Sequence, residues 1–447
     1  MKKTKQLGTE NIGKLLFKLS LPSTIGMMVI MLYHAADILF VGRGVGTEGI
    51  AGITIVFPIQ MLISAFGQMM GVGGASIISR ALGAKDLDRA NKTLTNIALV
   101  NFIFSSLIGV LIFINMEFVL KLFGSSETIL LPATEYFSII ILSAPILSFL
   151  MMINNIFRAE GNANLAMYVM ITSAAVNIIL DPIFIFIFEW GIQGAAIATV
   201  LAEILAFSYV LVVYKTNKSI FSFKFRSFSF DWSILKETFA VGASSFIRQG
   251  GSSVTTGIMN NALLHYGGDI AIAAFGLVFP IIRFVFFPLI GLVQGAMPIL
   301  GYNYGSKNYK RVLKTLEVSN IYSIIISVAA YLFLMFYTEQ LLSIFSTDSA
   351  LIQLGVHAMK IAILLLPFVG FQMITSGYFQ ALGKALPSLV LVIVRQFLAP
   401  VFFILTLPIF FGLDGIWIAY PLADLIAIIM SLIYIVPQFR ILKRNTQ

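Results

Sequence analysis

Asp181 stands in the stretch NIILDPIFIF, residues 177–186, with apolar residues on both sides. Asn177 lies four positions earlier, so the two side chains share one face of a helix. An ionised Asp only accepts hydrogen bonds, whereas Asn both donates and accepts. Pro182 follows at once, removes a backbone donor and loosens the helix there. A second acid, Asp37 in YHAADILFVG, sits in another apolar run, and Thr199, in the small-residue run GAAIAT, can approach the pair from a neighbouring segment. An aspartate held away from water beside a second carboxylate can take up a proton in one state and release it in another. Keeping such a charge in lipid costs about 2.5–3.5 kcal/mol even on the mild insertion scale, so function is the default reading. The alternative is a structural acceptor bonded to Ser or Asn on adjoining helices. It weighs more for Asp37, which lies nearer the outer face.

The elements that carry these residues are written in the composition. Of 447 residues 59% are hydrophobic and 11% charged, against about 25% charged in soluble domains. Mean hydropathy is +0.95. Apolar runs long enough to cross a bilayer, about 20 residues each, occur at 17–41, 50–76, 93–116, 132–156, 165–189, 191–214, 237–264, 270–298, 316–338, 350–376, 385–410 and 412–436. They are twice the length of barrel strands and do not alternate, so helices are expected. The basic head and long first run fit a retained span rather than a cleaved signal.

Lys and Arg alternate between loops. Lys2, Lys3, Lys5, Lys14 and Lys18 begin the chain. Every second loop is basic thereafter, and Arg440, Lys443 and Arg444 end it, whereas the opposite loops hold only Arg43 and Lys121. Both termini are therefore expected in the cytoplasm, with the chain crossing the inner (cytoplasmic) membrane many times. The segment NKSIFSFKFRSFSFDW, with alternating Phe and basic residues, suits an anchor at the headgroup interface.

The two halves repeat. GAKDLDRANKTL from Gly83 and GSKNYKRVLKTL from Gly305 share six of twelve residues at an offset of 222. The same offset aligns IVFPI with LVFPI, ending at Ile59 and Ile281, and FRAEGNA with FQALGKA, from Phe157 and Phe379. WGIQGAAIA and FGLDGIWIA pair at 221. The expected fold is thus an all-α membrane protein of twelve transmembrane helices in two pseudo-symmetric six-helix bundles with a central cleft. Residues 1–214 form the first lobe, 215–236 a cytoplasmic interfacial linker and 237–447 the second lobe. Six is even, so the repeats insert in parallel, and rocking of such bundles gives alternating access.

The repeat fails at its charges. The C-terminal half reads VRQFLAPVFFI where the first has Asp181, and Met259, beside Asn260 and Asn261, faces the position of Asp37. That half instead holds Arg248, Arg283, Lys360 and Arg395. Some of these bases can snorkel, pair with Asp424, or line a substrate cleft, Arg248 and Arg283 being the candidates for the last. The second helix of each half is Gly-rich, GQMMGVGG and GLVQG, which allows either flexibility or close packing.

Several chemistries are excluded. There is no cysteine, and His34, His265 and His357 are far apart. GYFQALGKA lacks the Gly spacing and the hydroxyl of a Walker A loop, and no soluble segment is large enough for a nucleotide domain. No enzyme constellation is visible, and no cofactor is expected. The net charge of +9 follows topology, so no nucleic-acid partner is expected. The partners are a lipid bilayer and a small amphipathic molecule, and the chain is expected to be a monomer.

SLPSTIGMM, DILFVG, GVGGASIISRALGAKD, FRAEGNANLAM and NIILDPIFIF together resemble the multidrug and toxic compound extrusion (MATE) transporters, over nearly the whole chain. The last stretch is similar to the bacterial DinF-like and MepA-like branch. The resemblance implies a cation site for H⁺ or Na⁺ at Asp37, Asn177 and Asp181, with Thr199 in position for a fourth ligand. The NorM-like branch uses acids in the C-terminal lobe, and spans seven and eight carry none here. The resemblance implies an antiporter that exports amphipathic, cationic drugs. A flippase for an anionic lipid-linked precursor, from the same superfamily, is the alternative that the bases favour and the paired acids oppose. A non-transport scaffold has no use for buried acids. The topology is checked by reporter tags at Met1, Lys224 and Gln447: all three should report cytoplasm, and a periplasmic signal from any of them overturns the span count.

Overall fold

The computed structural model describes residues 2–221, 229–444 and 446, and these are helical with no strand among them. In lipid every backbone N–H and C=O must be satisfied within its own segment, and a helix does this. The first half gives α1 (Ile12–Gly44), α2 (Thr47–Gly83), α3 (Leu87–Ile114), α4 (Glu127–Ala159), α5 (Ala163–Ile187) and α6 (Gly191–Lys215). The helical stretch Trp232–Gly305 is interrupted at Gly268, where φ is 66° and ψ −165°. Only glycine enters that region without strain, so the stretch is two spans, α7 (232–267) and α8 (269–305). Then come α9 (Tyr309–Ser343), α10, a pair Ser349–Ala362 and Leu366–Ala381 bent by 52°, α11 (Ala385–Phe411) and α12 (Leu413–Arg444). Twelve spans result among the described residues, and the protein is an all-α membrane protein. Of the anchor read in NKSIFSFKFRSFSFDW, residues 217–232, positions 222–228 lie outside the described residues.

The chain divides into two compact units, Met1–Gln6 with Ile25–Phe246, and Leu7–Thr24 with Ile247–Gln447. The first has a core of Val56, Ile59, Tyr136, Phe137, Ile185 and Ala195, drawn from α2, α4, α5 and α6. The second packs Met259, Val278, Leu334, Met359, Ile404 and Trp417. Outward faces stay apolar: on α3, Ile103, Leu107, Val110 and Ile114 are exposed, as helices facing lipid require.

The 222-residue repeat is visible in the backbone. Lys85 and Lys307 both have φ near +60°. Each closes its helix with the same two bonds: Asp86 N–H to Ala81 O and Lys85 N–H to Leu82 O, then Asn308 N–H to Asn303 O and Lys307 N–H to Tyr304 O. Asp86 and Asn308 then cap the next helix by accepting from the N–H of Arg89 and Arg311. Gly161 and Gly383 end α4 and α10 alike. A 3₁₀ turn at Ile141–Ser143 interrupts α4, and α10 breaks at the matching place, each ahead of a proline, Pro145 or Pro367.

The glycine-rich helices are used for packing. A methyl group on Gly67 would strike the backbone of Ser148, one on Gly73 that of Thr238, and one on Gly242 that of Met69. Thus α2 touches α4 and α7 backbone to backbone, where small residues let dispersion act at close range. In the second unit Gly291 and Gly295 meet Ser20 and Thr24 in the same way. Gly73→Val should therefore cost about 1–3 kcal/mol or more by overpacking. Gly257→Ala, which would meet nothing within 4 Å, should be neutral or slightly stabilising. Thermal unfolding of the purified protein in detergent checks both, and an unchanged midpoint for Gly73→Val contradicts the packing account.

Candidate functional site

The first unit gathers Asp37 from α1, Asn177 and Asp181 from α5 and Thr199 from α6, all buried. One turn of α5 brings Asn177 and Asp181 to the same face, as their spacing implies. Asn177 Nδ2 uses its two hydrogens in different directions. It donates to Asp181 Oδ1 at 3.2 Å and to Thr199 Oγ1 at 3.1 Å, and so fastens α5 to α6. The carboxyl groups of Asp37 and Asp181 interact directly. Tyr33 and Tyr136 lie beside Thr199 and within electrostatic reach of both carboxyls.

The site is rich in acceptors. Asp37 Oδ1, Asp181 Oδ2 and Asn177 Oδ1 are buried with no hydrogen-bond partner. A lone buried acceptor costs about 1–3 kcal/mol, and three oxygens here share the same deficit. What they lack is a positive charge or a donor. A proton shared by the carboxyls supplies it, as does a small cation held by carboxylate, amide and hydroxyl oxygens. Among the described residues no three His, Cys, Asp or Glu side chains gather to hold a metal ion.

The backbone beside Asp181 departs from the α-helix. Pro182 cannot donate, and the next five residues, Ile183–Ile187, form a π turn in which Phe188 N–H reaches Ile183 O at 2.9 Å. Such wide turns occur at functional sites and give a helix a place to change its bonding. Gly194 of α6 lies against the backbone of Phe184, so the wide turn is packed rather than loose. Below it Phe184, Phe188 and Trp190 cluster with ring centroids 5.1–5.7 Å apart, an arrangement typical of the membrane interface.

Sequence reading missed one member. Glu203 on α6 is buried, with Oε2 unpartnered. It sits one turn past Thr199 and beside Ser143 at the 3₁₀ break of α4. Tyr33 is within electrostatic reach of Glu203 as well as of the Asp pair. The signal was available: Thr199 and Glu203 have the same spacing of four as Asn177 and Asp181.

Arg248 and Arg283 belong to the second unit and do not join this group. Arg248, on α7, is within electrostatic reach of Arg395 on α11. Arg395 Nε donates to Asp424 Oδ1 of α12 at 2.8 Å, the pairing anticipated for one of the bases. Arg283 is exposed on α8, in reach of Tyr420, and Lys360 is exposed beside the break in α10.

A profile of the MatE family matches residues 22–183 and 250–405. The multidrug export protein MepA of Staphylococcus aureus (strain MRSA252) is 27% identical over 410 residues, which is 91% of this chain and 89% of that one. The outward-facing conformation of a multidrug resistance MATE family transporter of the MOP superfamily superposes with a TM-score of 0.90 at 28% identity, covering 99% of each chain. A MOP superfamily transporter from Pyrococcus furiosus, described as having a binding pocket of reverse polarity that suggests a different function, superposes with a TM-score of 0.88 at 29% identity, again over 99% of each.

The Asn177 clasp is open to test. Thr199→Val keeps the shape and removes the acceptor of a buried N–H, which should cost about 1–3 kcal/mol. In a double-mutant cycle with Asn177→Ala the two losses should fall short of additive by at least about 0.5 kcal/mol. Additive losses in thermal unfolding would mean the bond does not join α5 to α6.

Proposed function

The chain belongs to the MatE family of membrane transporters, and from that premise we propose that it is a secondary active antiporter. It is a transporter and not an enzyme. It exports amphipathic small molecules, drugs and toxic compounds among them, in exchange for H⁺, or for Na⁺ held by the same oxygens. The relatives' names supply the substrate class. The observation that carries the coupling is the set of buried oxygens without donors on Asp37, Asp181 and Asn177. We place the protein in the cell membrane with both termini in the cytoplasm, its halves at 1–214 and 237–447 joined by 215–236, working as a monomer.

The cycle follows from the chemistry of the site. With one ion bound, one of the two negative charges of Asp37 and Asp181 is cancelled and the other is shared across the pair, and the clasp through Asn177 holds α5 against α6. Without it, two carboxylates face each other away from water, which is costly. Ion binding therefore favours whichever arrangement keeps them together, and the π turn after Pro182 lets α5 change its bonding as the site alternates between the two sides of the membrane. Direction comes from the gradient. Moving one charge across 100 mV is worth about 2.3 kcal/mol. Exchange of one proton for one monovalent cation moves no net charge, and a second proton would draw on the potential. Asp37, Asp181 and Glu203 give the first unit the capacity for more than one.

Asp181→Asn keeps the shape and removes the charge. In proteoliposomes it should insert normally and lose substrate-induced release of protons or Na⁺. Asp37→Asn should impair transport similarly or somewhat less. Coupled efflux by Asp181→Asn at the wild-type rate would return Asp181 to a structural role. A second reading, a flippase for an anionic lipid-linked precursor, is favoured by the arginines of the second unit and by the reversed pocket polarity described for the Pyrococcus relative. Equal susceptibility of expressing and control cells to a broad panel of cationic drugs, with the protein confirmed in the membrane, would favour it over drug export.

A further inference from the structure

We propose that Arg158, with Asn155 and Gln68, forms a binding site for the phosphate or carboxylate group of an anion, at the end of the first unit that we place in the cytoplasm. The inference goes beyond the transport reading and depends neither on the ion coupled nor on the molecule exported.

Burial is the first argument. Arg158 lies in the last turn of α4 and is 6% exposed, the one buried base among the described residues. Buried charges are as a rule paired. Arg80 and Arg89 show the usual answer, sharing Glu237 at 2.6 and 2.9 Å. Arg158 has none: no carboxylate stands within electrostatic reach of it. Glu160, two residues on, accepts instead from Ser219 Oγ at 2.7 Å and from Ile220 N–H at 3.2 Å. A base in the last turn also complements the helix dipole. An exposed lysine does that without losing its water, so the dipole does not account for a buried guanidinium.

Hydrogen bonding is the second. A guanidinium carries five N–H donors. Arg158 Nη2 donates to Asn155 Oδ1 at 3.2 Å, its single hydrogen bond among the described residues. Asn155 spends both hydrogens of Nδ2, on Gln68 Oε1 and on Met151 O, each at 2.9 Å. Each amide oxygen of this relay therefore holds a donor already. What is left over is N–H, on Arg158 and on Gln68 Nε2. These nitrogens are also reachable, since neither residue has a sealed nitrogen without a partner. The relay is the converse of the group around Asp37 and Asp181, which is short of donors.

Construction and depth are the third. The relay joins α2 to α4. A methyl group on Gly71 would come within 2.8 Å of Asn155 Nδ2 and 2.9 Å of the Met152 backbone, so the bare backbone of α2 makes room for the amide and confines it. The offset of 222 sets Gly377 and Gln380 opposite Asn155 and Arg158, so the second half has no such base. Arg158 stands two residues past the apolar run 132–156, at the level of lipid headgroups. Basic pockets between helices at that level hold anionic headgroups, and guanidinium forks match phosphate and carboxylate oxygens two at a time. The anion is the headgroup of a bilayer lipid or a soluble molecule with the same group.

Binding is measured on the purified full chain, without transport, so this inference and the coupling assignment fail separately. In neutral detergent, calorimetry with dodecyl phosphate should give saturable binding. Arg158→Gln, which can still donate to Asn155, should weaken it by about tenfold or more. Arg158→Lys, with the charge but not the fork, should weaken it less. Gln68→Glu supplies a counter-charge from within: it should raise the thermal midpoint and weaken binding by about tenfold or more. Lys92→Gln, at an exposed base of the same end, and Asp181→Asn should bind as the wild type does. Thermal unfolding certifies the fold of each variant. Binding lost in nanodiscs that contain phosphatidylglycerol but kept in nanodiscs of phosphatidylcholine alone identifies a lipid headgroup as the source; binding kept in both identifies a soluble anion. Absence of saturable binding, unchanged affinity in Arg158→Gln or Gln68→Glu, or equal weakening by Lys92→Gln overturns the proposal.

Discussion

A charged side chain carried into hydrocarbon has to be met by another group, and this requirement organises the molecule. The helices exist because the backbone faces the same demand and answers it internally. The tight glycine contacts at Gly67, Gly73 and Gly242 follow at one remove, since helices in lipid are held by close packing rather than by escape from water. Where side chains carry charge, each half solves the problem in its own way. In the first, Asn177 shares its amide between Asp181 and Thr199 and still leaves oxygens without donors. In the second, Asp424 answers Arg395 in a closed ion pair.

Backbone and charge follow separate rules in this chain. The helix ends at Lys85 and Lys307, the caps at Asp86 and Asn308 and the breaks before Pro145 and Pro367 recur at one offset. These are set by local geometry: a residue with positive φ, a short polar cap, a proline that cannot extend a turn. The buried charges do not recur, because nothing in the backbone requires them. A duplicated scaffold with unduplicated charges is what results when packing is held and chemistry is free to differ. The π turns of α5 and α11 do not keep that offset: one follows Asp181 and Pro182, the other carries Arg395.

Much of this was legible in the sequence. The spans are long and apolar, so their number needed only hydropathy and the alternation of basic loops. Asp181 and Asn177 announced themselves because an acid in an apolar run is rare and a spacing of four fixes a shared face. Thr199 was less secure, since nothing in a sequence says which face of α6 turns toward α5. The contact with Asn177 settles it. Glu203 is harder to read, because a lone acid in the middle of α6 does not say which helix it faces, and its place beside Ser143 depends on how α4 packs. The π turns could not be read at all. They depend on which carbonyls remain free after Pro182 and before Pro400, and on the neighbours, Gly194 and Thr255, that pack against or bond the widened turns. Whether the Gly-rich helices bend or pack was undecidable until the atoms opposite each glycine were known.

The charge of the exported molecule decides what the membrane potential contributes. An antiporter that trades one inward proton for one outward monovalent cation moves no net charge and runs on the pH difference alone. One that trades a proton for an outward monovalent anion moves two charges in the favourable direction, worth about 4.6 kcal/mol per 100 mV at about 2.3 kcal/mol per charge. A cation exporter thus has reason to carry several protonatable groups, and an anion exporter can work with one. Among its buried carboxyls the first unit has Asp37, Asp181 and Glu203 within its spans, and the second holds the arginines. Binding energy enters the cycle only where an ion or a substrate distinguishes the two states of the protein.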